Sequence, residues 1–296
     1  MRTMFLLFIT ISTAFARQTS YLPPVFTDSA RAERVKATQP FVEKMFREHM
    51  EKQHMPGLAY GVVLDGKLLY AGGLGFSNLE KKYAADASSM FRIASMSKSF
   101  TALAILQLRD AGKLDLDDPA SKYIPEMKKI KYLTVDAPAI TIRDLMTHGA
   151  GFPEDNPWGD RQLADTDAEL RKLMADGPAF SNVPGVEYEY SNVGFALLGQ
   201  IVQVVSGMKY DEYTKERIFK PLGMTSTGWE YTKAPEQKLA LGYNWLHDAY
   251  ENIPLLHHGS YGAMGGLITS VEDLAKYVAM HLAAWPPRSD AETGPL

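Results

Sequence analysis

The sequence predicts an α/β protein in which an antiparallel sheet is combined with a lobe built only of helices. Two apolar, β-rich runs, residues 58–64 and 67–71, flank Asp65-Gly66, a pair that favours a tight hairpin turn. Residues 29–54 before the hairpin have apolar side chains at helical spacing, and so does most of the chain after residue 95. We therefore expect the sheet near the N-terminus and mainly helices beyond it.

Length and composition are those of a globular protein with room for a sizeable core. The chain has 296 residues, of which 46% are hydrophobic and 22% charged. Its formal net charge of −4 predicts neither nucleic-acid binding nor attraction to an acidic surface. Because the chain contains no cysteine, disulfides, a thiol nucleophile and cysteine-ligated zinc are all excluded.

The first 16 residues have the pattern of a signal peptide. Arg2 gives a short positive start, residues 4–11 are apolar, and Ala14-Phe15-Ala16 has the small-x-small form of a cleavage site. We expect residues 1–16 to be removed and the protein to be exported, periplasmic or extracellular. The alternative is a buried N-terminal helix. The run is too short for a lasting membrane span.

Capping signals locate several later helices. The helix that starts at Ser95 is predicted to end near Gly112, a C-cap residue. Thr141 and Asp144 form a capping-box pattern. Further helices are predicted over residues 192–205 and 210–219, and a last one is predicted after Ser270, ending near residue 281.

Ser95 and Lys98 form an S-x-x-K motif where a polar loop turns into a helix. Residues three apart share one face of a helix, so the lysine amine can take the proton of the serine hydroxyl. Such a serine can act as a nucleophile without a histidine. Lys98 must be partly buried for this, because burial lowers the pKa of a lysine amine and a permanently protonated ammonium accepts no proton.

The sequence around this motif resembles the penicillin-recognising serine hydrolases, within them most closely the branch of the class C β-lactamases with its esterases and D-aminopeptidases. Five segments agree in order: residues 90–102 with the nucleophile segment, 112–119 with the stretch after its helix, 140–151 with T-I-R-x-L-L-T-H-x-S-G, 190–192 with Y-x-N, and 265–274 with G-G-L-x-S-T-x-x-D-L. Together they span most of residues 30–283.

The resemblance implies a β-lactamase/transpeptidase-like fold for residues 29–283. Residues 29–104 would form the N-terminal part of the α/β lobe, 105–268 the helical lobe and 269–283 a helix that returns to the sheet. Residues 284–296 would be a tail. The active site would lie between the lobes.

The resemblance also implies a secreted hydrolase that cleaves amide or ester bonds through an acyl-enzyme on Ser95. Tyr190 would pass protons between Ser95, Lys98 and the leaving group. Asn192, with one amide donor and one carbonyl acceptor, would hold Lys98 and the amide side of the substrate. No metal or organic cofactor is implied. The substrate is a small molecule or peptide with a carbonyl to be attacked: a β-lactam, a D-amino-acid peptide or an ester.

Structural roles compete with some of these assignments. Ser95 alone could be an N-cap, and Tyr190 a core aromatic. His148 fits a hydrogen-bonded structural histidine better than a catalytic one. His257-His258 does not predict a metal site, because adjacent histidines point apart and no carboxylate cluster completes one. The glycines of residues 262–266 fit close packing better than a phosphate loop.

The third motif of the family, K-T-G or H-x-G on a late strand, is not found after residue 274. His257-His258-Gly259 has the letters of H-x-G but precedes the segment that the motif should follow. We therefore expect a chain shortened at its C-terminus, with an exposed sheet edge, an incomplete oxyanion hole and slow hydrolysis. The alternative function is that of a non-catalytic binding or scaffold relative, or an inactive fragment.

Overall fold

The computed structural model describes residues 26–284. The predicted signal peptide, residues 1–16, and all of the predicted tail after residue 284 lie outside this range, so both stay predictions. The division into lobes at residues 104/105 and 268/269 likewise stays a prediction. No helix of the described range is both long and apolar enough to cross a bilayer.

Eleven α-helices and eight strands are found within the described range. The helices are α1 Arg31–Lys36, α2 Gln39–Gln53, α3 Ser97–Asp110, α4 Ile142–Met146, α5 Asn156–Gly159, α6 Asp167–Asp176, α7 Asn192–Ser206, α8 Tyr210–Thr214, α9 Lys220–Leu222, α10 Gly262–Gly265 and α11 Val271–Ala284. The strands are β1 Gly57–Leu64, β2 Lys67–Asn78, β3 Tyr83–Ala84, β4 Phe91–Arg92, β5 Thr227–Gly228, β6 Gly242–Leu246, β7 Ala249–Ile253 and β8 Ile268–Thr269.

The predicted hairpin is present as β1 and β2, and β3 extends it to an antiparallel sheet of order β1-β2-β3. Its turn residues Asp65 and Gly66 both have positive φ, 49° and 72°, as a two-residue hairpin turn requires. Tyr60 faces α2, where its hydroxyl donates to Glu43. A Cβ on the next residue, Gly61, would lie 2.7 Å from Val271 Cγ1 of α11. The sheet is therefore packed between α2 and α11.

The helix predicted over residues 29–54 is divided into α1 and α2. The break falls at Ala37 and Thr38, and Pro40 is the second residue of α2. Proline has no backbone N–H and its ring clashes with the carbonyl four residues earlier, so it begins a helix more readily than it continues one. The apolar spacing alone did not reveal this interruption.

The predicted helical segment 105–268 also contains strands that the sequence analysis did not predict. β6 and β7 form an antiparallel hairpin whose turn residues, His247 and Asp248, have φ of 52° and 60°. A second small sheet has the order β4-β8-β5. The bond from Ile93 N–H to the Leu267 carbonyl (2.9 Å) continues the pairing of β4 with β8 toward Ser95.

The capping signals are confirmed. Thr141 and Asp144 make the reciprocal bonds of a capping box at α4. Gly112, with φ of 65°, follows the end of α3. Ser270 Oγ accepts from the N–H of Asp273 in the first turn of α11, which continues past the predicted end near residue 281 to residue 284, the last one described.

α7 forms the centre of the helical core, where it packs against α3, α4, α8 and α10. Its residues from Asn192 to Val202 are all buried. The approach to α10 is especially close, since a Cβ on Gly199 would lie 2.5 Å from the Cβ of Ala263. This agrees with the close-packing role expected for the glycine-rich segment 262–266.

Substitution of Gly199 by alanine should therefore destabilise the protein, although alanine is the better helix former. We expect Gly199→Ala to lower the free energy of unfolding by about 1–3 kcal/mol, because the added methyl overpacks the contact with α10. The matched control is Gly194→Ala in the same helix, where the nearest atom to the new Cβ is 3.5 Å away. Guanidinium denaturation should show Gly194→Ala unchanged or slightly more stable. Equal losses in both variants would contradict the packing argument.

Candidate active site

Ser95 lies in a single 3₁₀ turn, Ala94–Met96, between β4 and α3. Ala94 has φ of 47°, a strained value for a residue other than glycine. The buried Ser97 holds the turn, because its Oγ donates to the Ala94 carbonyl (2.6 Å) and accepts from the N–H of Leu267 (3.1 Å). Ser95 itself is exposed. The turn thus presents this hydroxyl to solvent on a tightly bonded backbone.

Lys98 extends from the first turn of α3 into the protein and is only 7% exposed. Its Nζ lies 3.1 Å from Ser95 Oγ, 2.8 Å from Asn192 Oδ1 and 2.8 Å from the Met264 carbonyl oxygen. The last two atoms can only accept hydrogen bonds. As an ammonium group, Lys98 donates to all three oxygens. In the neutral form, the Asn192 and Met264 oxygens would engage its two N–H groups, and its lone pair would be available to the Ser95 hydroxyl.

Tyr190 contacts the same serine from the helical core. Its hydroxyl donates to Ser95 Oγ at 2.7 Å, and Lys98 Nζ lies 4.9 Å from the centre of its ring. The structure therefore brings Ser95, Lys98 and Tyr190 into one hydrogen-bonded group.

Asn192 is the first residue of α7 and is fully buried. The preceding residue, Ser191, caps the helix by accepting from the Gly194 N–H. While Asn192 Oδ1 binds Lys98, its Nδ2 has no hydrogen-bond partner within the described protein. A Cβ on Gly159 would lie 2.8 Å from this Nδ2, so only glycine fits beside the amide.

Asp155 positions the start of α7. Its carboxylate oxygens accept from the backbone N–H groups of Asn192 (2.7 Å) and Val193 (2.9 Å), and its carbonyl accepts from Trp158 and Gly159 in the α5 turn. A carboxylate at a helix N-terminus satisfies unpaired amides and interacts favourably with the helix dipole. Asp155 thereby ties α7 to the turn that packs on the Asn192 side chain.

His148 has the hydrogen-bonded structural position that we expected. Its Nδ1 accepts from the Ser191 N–H (3.1 Å), and its ring stacks on Tyr190 with the centroids 4.6 Å apart. Burial, with a smaller effect of the nearby Lys98 charge, lowers the pKa of His148 to about 4. The imidazole is therefore neutral near pH 7 and supports the Tyr190 ring without adding charge.

The histidine pair lies elsewhere. His257 Nδ1 is 3.0 Å from both carboxylate oxygens of Glu230, whereas His258 lies 3.8 Å from Asp211. Within residues 26–284 no group of three or more histidine, aspartate or glutamate side chains has the geometry to hold a metal ion. Both histidines precede α10 in a segment without strand structure.

All four site residues proposed from sequence meet in one place, but three of their partners were not anticipated. Asp155 and Ser97 act through backbone amides, and Met264 through its carbonyl oxygen. Asp155 lies 37 residues before Asn192, so no local capping pattern pointed to it. A carbonyl oxygen gives no signal, because every residue carries one.

The histidine beside Tyr190 should make stability sensitive to acid. Because its pKa is lower in the folded than in the unfolded chain, unfolding takes up a proton and stability falls as the pH drops from 6.5 to about 4. Asparagine tolerates the positive φ of this site, 58°. We expect the fall in Tm between pH 7 and pH 4.5 to be about 2–4 °C smaller in His148→Asn than in the parent.

The control for this measurement is His247→Asn, at an exposed position with a similar φ of 52°. It should retain the parent's response to pH. Equal responses of His148→Asn and the parent in scanning calorimetry would refute the assigned role of His148.

Removing the Asp155 carboxylate should affect both α7 and the reactivity of Ser95. We expect Asp155→Ala to cost about 1–2 kcal/mol of stability, the range for a lost helix cap. Thr166→Ala removes the cap of α6 and is the matched control. Both should lower the midpoint of denaturation, but only Asp155→Ala should slow labelling of Ser95 by a fluorophosphonate. Equal labelling rates in the two variants would contradict the positioning role.

Comparison with known proteins agrees with this geometry. The protein-family model described as Beta-lactamase matches residues 42–294. The protein flp of Staphylococcus aureus is 31% identical over 255 residues, which cover 83% of this chain and 49% of flp. The chain thus spans about half the length of the curated relatives it matches.

Solved structures show the same fold. The octameric penicillin-binding protein homologue from Pyrococcus abyssi is 32% identical, with a TM-score of 0.70 over 82% of this chain and 56% of its own. A class C β-lactamase in complex with cefoxitin is 23% identical, with a TM-score of 0.71 over 86% of this chain and 68% of its own. The family match, the fold and the order of the motifs lead to one assignment: this chain belongs to the β-lactamase family and has the β-lactamase/transpeptidase-like fold.

Proposed function

We propose that this protein is a serine hydrolase that cleaves amide or ester bonds through an acyl-enzyme on Ser95. The observation that carries the proposal is the position of Lys98 Nζ, which lies within hydrogen-bonding distance of Ser95 Oγ and of two oxygens that only accept. With two N–H groups bound to those oxygens, the neutral amine would have its lone pair available to the Ser95 hydroxyl. A general base requires that arrangement.

Acylation begins when Ser95 Oγ attacks the substrate carbonyl carbon and its proton passes to the Lys98 amine. The new Oγ–C bond produces a tetrahedral intermediate with a negatively charged oxygen. The position of Ser95 before the N-terminus of α3 favours this developing charge through the helix dipole. In this step the nucleophile and its base are three residues apart in one turn of chain.

Collapse of the intermediate requires a proton for the leaving group. Tyr190, 2.7 Å from Ser95 Oγ, donates its hydroxyl proton to the departing nitrogen or oxygen and is reprotonated from Lys98. The carbonyl re-forms as the leaving bond breaks. Attack by water, with the same groups taking up and returning the proton, releases the acid and restores Ser95.

The choice among β-lactams, D-amino-acid peptides and esters depends on groups around this centre. The resemblance assigns Asn192 to the amide side of the substrate, and in this structure its Nδ2 is a buried donor without an acceptor in the described protein. One solved relative is a penicillin-binding protein homologue, and another is a class C β-lactamase in complex with cefoxitin. We therefore include cyclic and peptide amides with esters in the substrate range.

The test is covalent labelling with a fluorophosphonate and with a fluorescent penicillin. We expect the parent to be labelled and Ser95→Ala not to be. Lys98→Gln should be labelled about 10²–10⁴-fold more slowly, the usual contribution of a general base. Ser99→Ala is the matched control, since Ser99 lies in the same helix but is exposed, and its Oγ donates to the Met96 carbonyl.

Two results would overturn the proposal. One is the absence of labelling by either probe in the folded parent, which would favour a non-catalytic binding relative. The observation that supports this alternative is the sheet edge at β1, because β1 pairs with no strand other than β2 within the described residues. The other is labelling that survives in Ser95→Ala.

We further propose that the hydrolase is exported and acts in the periplasm or outside the cell. The support is the pattern of residues 1–16, a short positive start, an apolar run and a small-x-small cleavage site.

A further inference from the structure

We propose that the protein has a second binding site, separate from Ser95, for a small ligand that combines an anionic group with an apolar body. The site is a pocket of about 250 Å³ beside β5. This volume is a little below that of sites for drug-sized ligands, so we expect a ligand of the size of an aryl phosphate or an aryl carboxylate. None of the four residues proposed for hydrolysis lines the pocket. The inference therefore does not depend on the proposed function.

Three lysine side chains supply the attraction for an anion. Lys215 follows α8, Lys233 and Lys238 lie between β5 and β6, and all three are exposed and line the pocket. None of them makes a side-chain hydrogen bond or an ion pair with any residue of the range 26–284. By contrast, Lys172 and Lys220 each bind a carboxylate one helical turn away. Ammonium groups without a carboxylate partner raise the local potential and favour an anionic ligand.

The two carboxylates of the lining leave an excess of positive charge. Both oxygens of Glu230 lie 3.0 Å from His257 Nδ1, and Asp211 Oδ2 lies 3.8 Å from His258 Nε2. Each acid is thus next to one member of the adjacent histidine pair. The lysines of the lining outnumber its carboxylates by one before any charge on the histidines is counted.

The floor of the pocket is apolar. Phe219, Trp229 and Ile268 contribute to the lining and are exposed by 4% or less. The indole N–H of Trp229 is already used, because it donates to Thr214 Oγ1 at 2.8 Å. Trp229 therefore presents ring surface and no free donor to a ligand. An aromatic or aliphatic group that covers this floor is favourably removed from water.

β5 provides a polar and uncovered rim. It is the edge strand of the sheet β4-β8-β5, so one side of its backbone pairs with no other strand of the described chain. A Cβ built on Gly228 would have no atom within 4 Å. Thr225 and Ser226 also line the pocket, and neither hydroxyl has a hydrogen bond within residues 26–284. Hydroxyl donors beside lysines suit the oxygens of a phosphate or carboxylate.

Isothermal titration calorimetry with phenyl phosphate tests the inference. Phenyl phosphate carries both a ring and an anionic group, whereas phenol lacks the phosphate and inorganic phosphate lacks the ring. We expect the parent to bind phenyl phosphate at least tenfold more tightly than either reference compound, with an affinity that falls as the salt concentration rises. A smaller advantage over either compound would overturn the proposed ligand class, and so would no binding of phenyl phosphate at millimolar concentration.

Replacement of the three lysines locates the site. Lys215→Gln/Lys233→Gln/Lys238→Gln removes the charges but keeps most of each side chain. We expect it to bind phenyl phosphate at least tenfold more weakly than the parent, because each lost ion pair at the surface weakens binding by up to about fivefold. Unchanged affinity in this variant would overturn the assignment of the pocket.

The matched control is Lys128→Gln/Lys129→Gln/Lys131→Gln. These lysines are also exposed and form no ion pair with a residue that the structure describes, but they do not line the pocket. The control changes the net charge of the protein by the same amount and should keep the affinity of the parent. Equal weakening in both triple variants would mean that net charge, and not this pocket, attracts the anion, and would refute the inference.

Discussion

The rest of this structure depends on the hydrogen bonds of the buried Lys98 amine. A buried amine is costly unless its hydrogen bonds are satisfied, and here the three partners come from three places in the fold. Ser95 Oγ lies in the turn before α3, Asn192 Oδ1 at the start of α7 and the Met264 carbonyl in α10. The fold must therefore fix the relative positions of these elements closely enough for hydrogen bonds of 2.8–3.1 Å to form. The tight contact of Gly199 in α7 with α10 serves this requirement.

The N-terminus of α7 carries most of this constraint. Ser191 and Asp155 satisfy its first amides, and neutral His148 receives the Ser191 N–H while supporting Tyr190. The same few residues thus place one proton carrier and the acceptor that orients Lys98. The negative charge of the Asp155 carboxylate is favourable at the N-terminus of α7. The uncharged imidazole of His148 avoids electrostatic repulsion with the nearby Lys98.

Features encoded over a few residues could be predicted, whereas features that depend on distant backbone could not. The Asp65-Gly66 turn, the capping box of Thr141 and the spacing of Ser95 and Lys98 are local and were found. The Met264 carbonyl has no side-chain signature. The β6–β7 hairpin was not predicted because its turn residues with positive φ are His247 and Asp248, where glycine or asparagine is usual. The cross-strand contact of Trp245 with Tyr250 can be recognised only in the structure.

The chain separation of the Lys98 partners has a consequence for biosynthesis. Asn192 follows the lysine by 94 residues and Met264 by 166. A nascent chain that has released only its first half already contains the serine and the lysine, but neither oxygen that would orient the amine. Its serine is then an ordinary alcohol. Under the proposed function, Ser95 therefore becomes reactive only after residue 264 has been synthesised and has folded against α3.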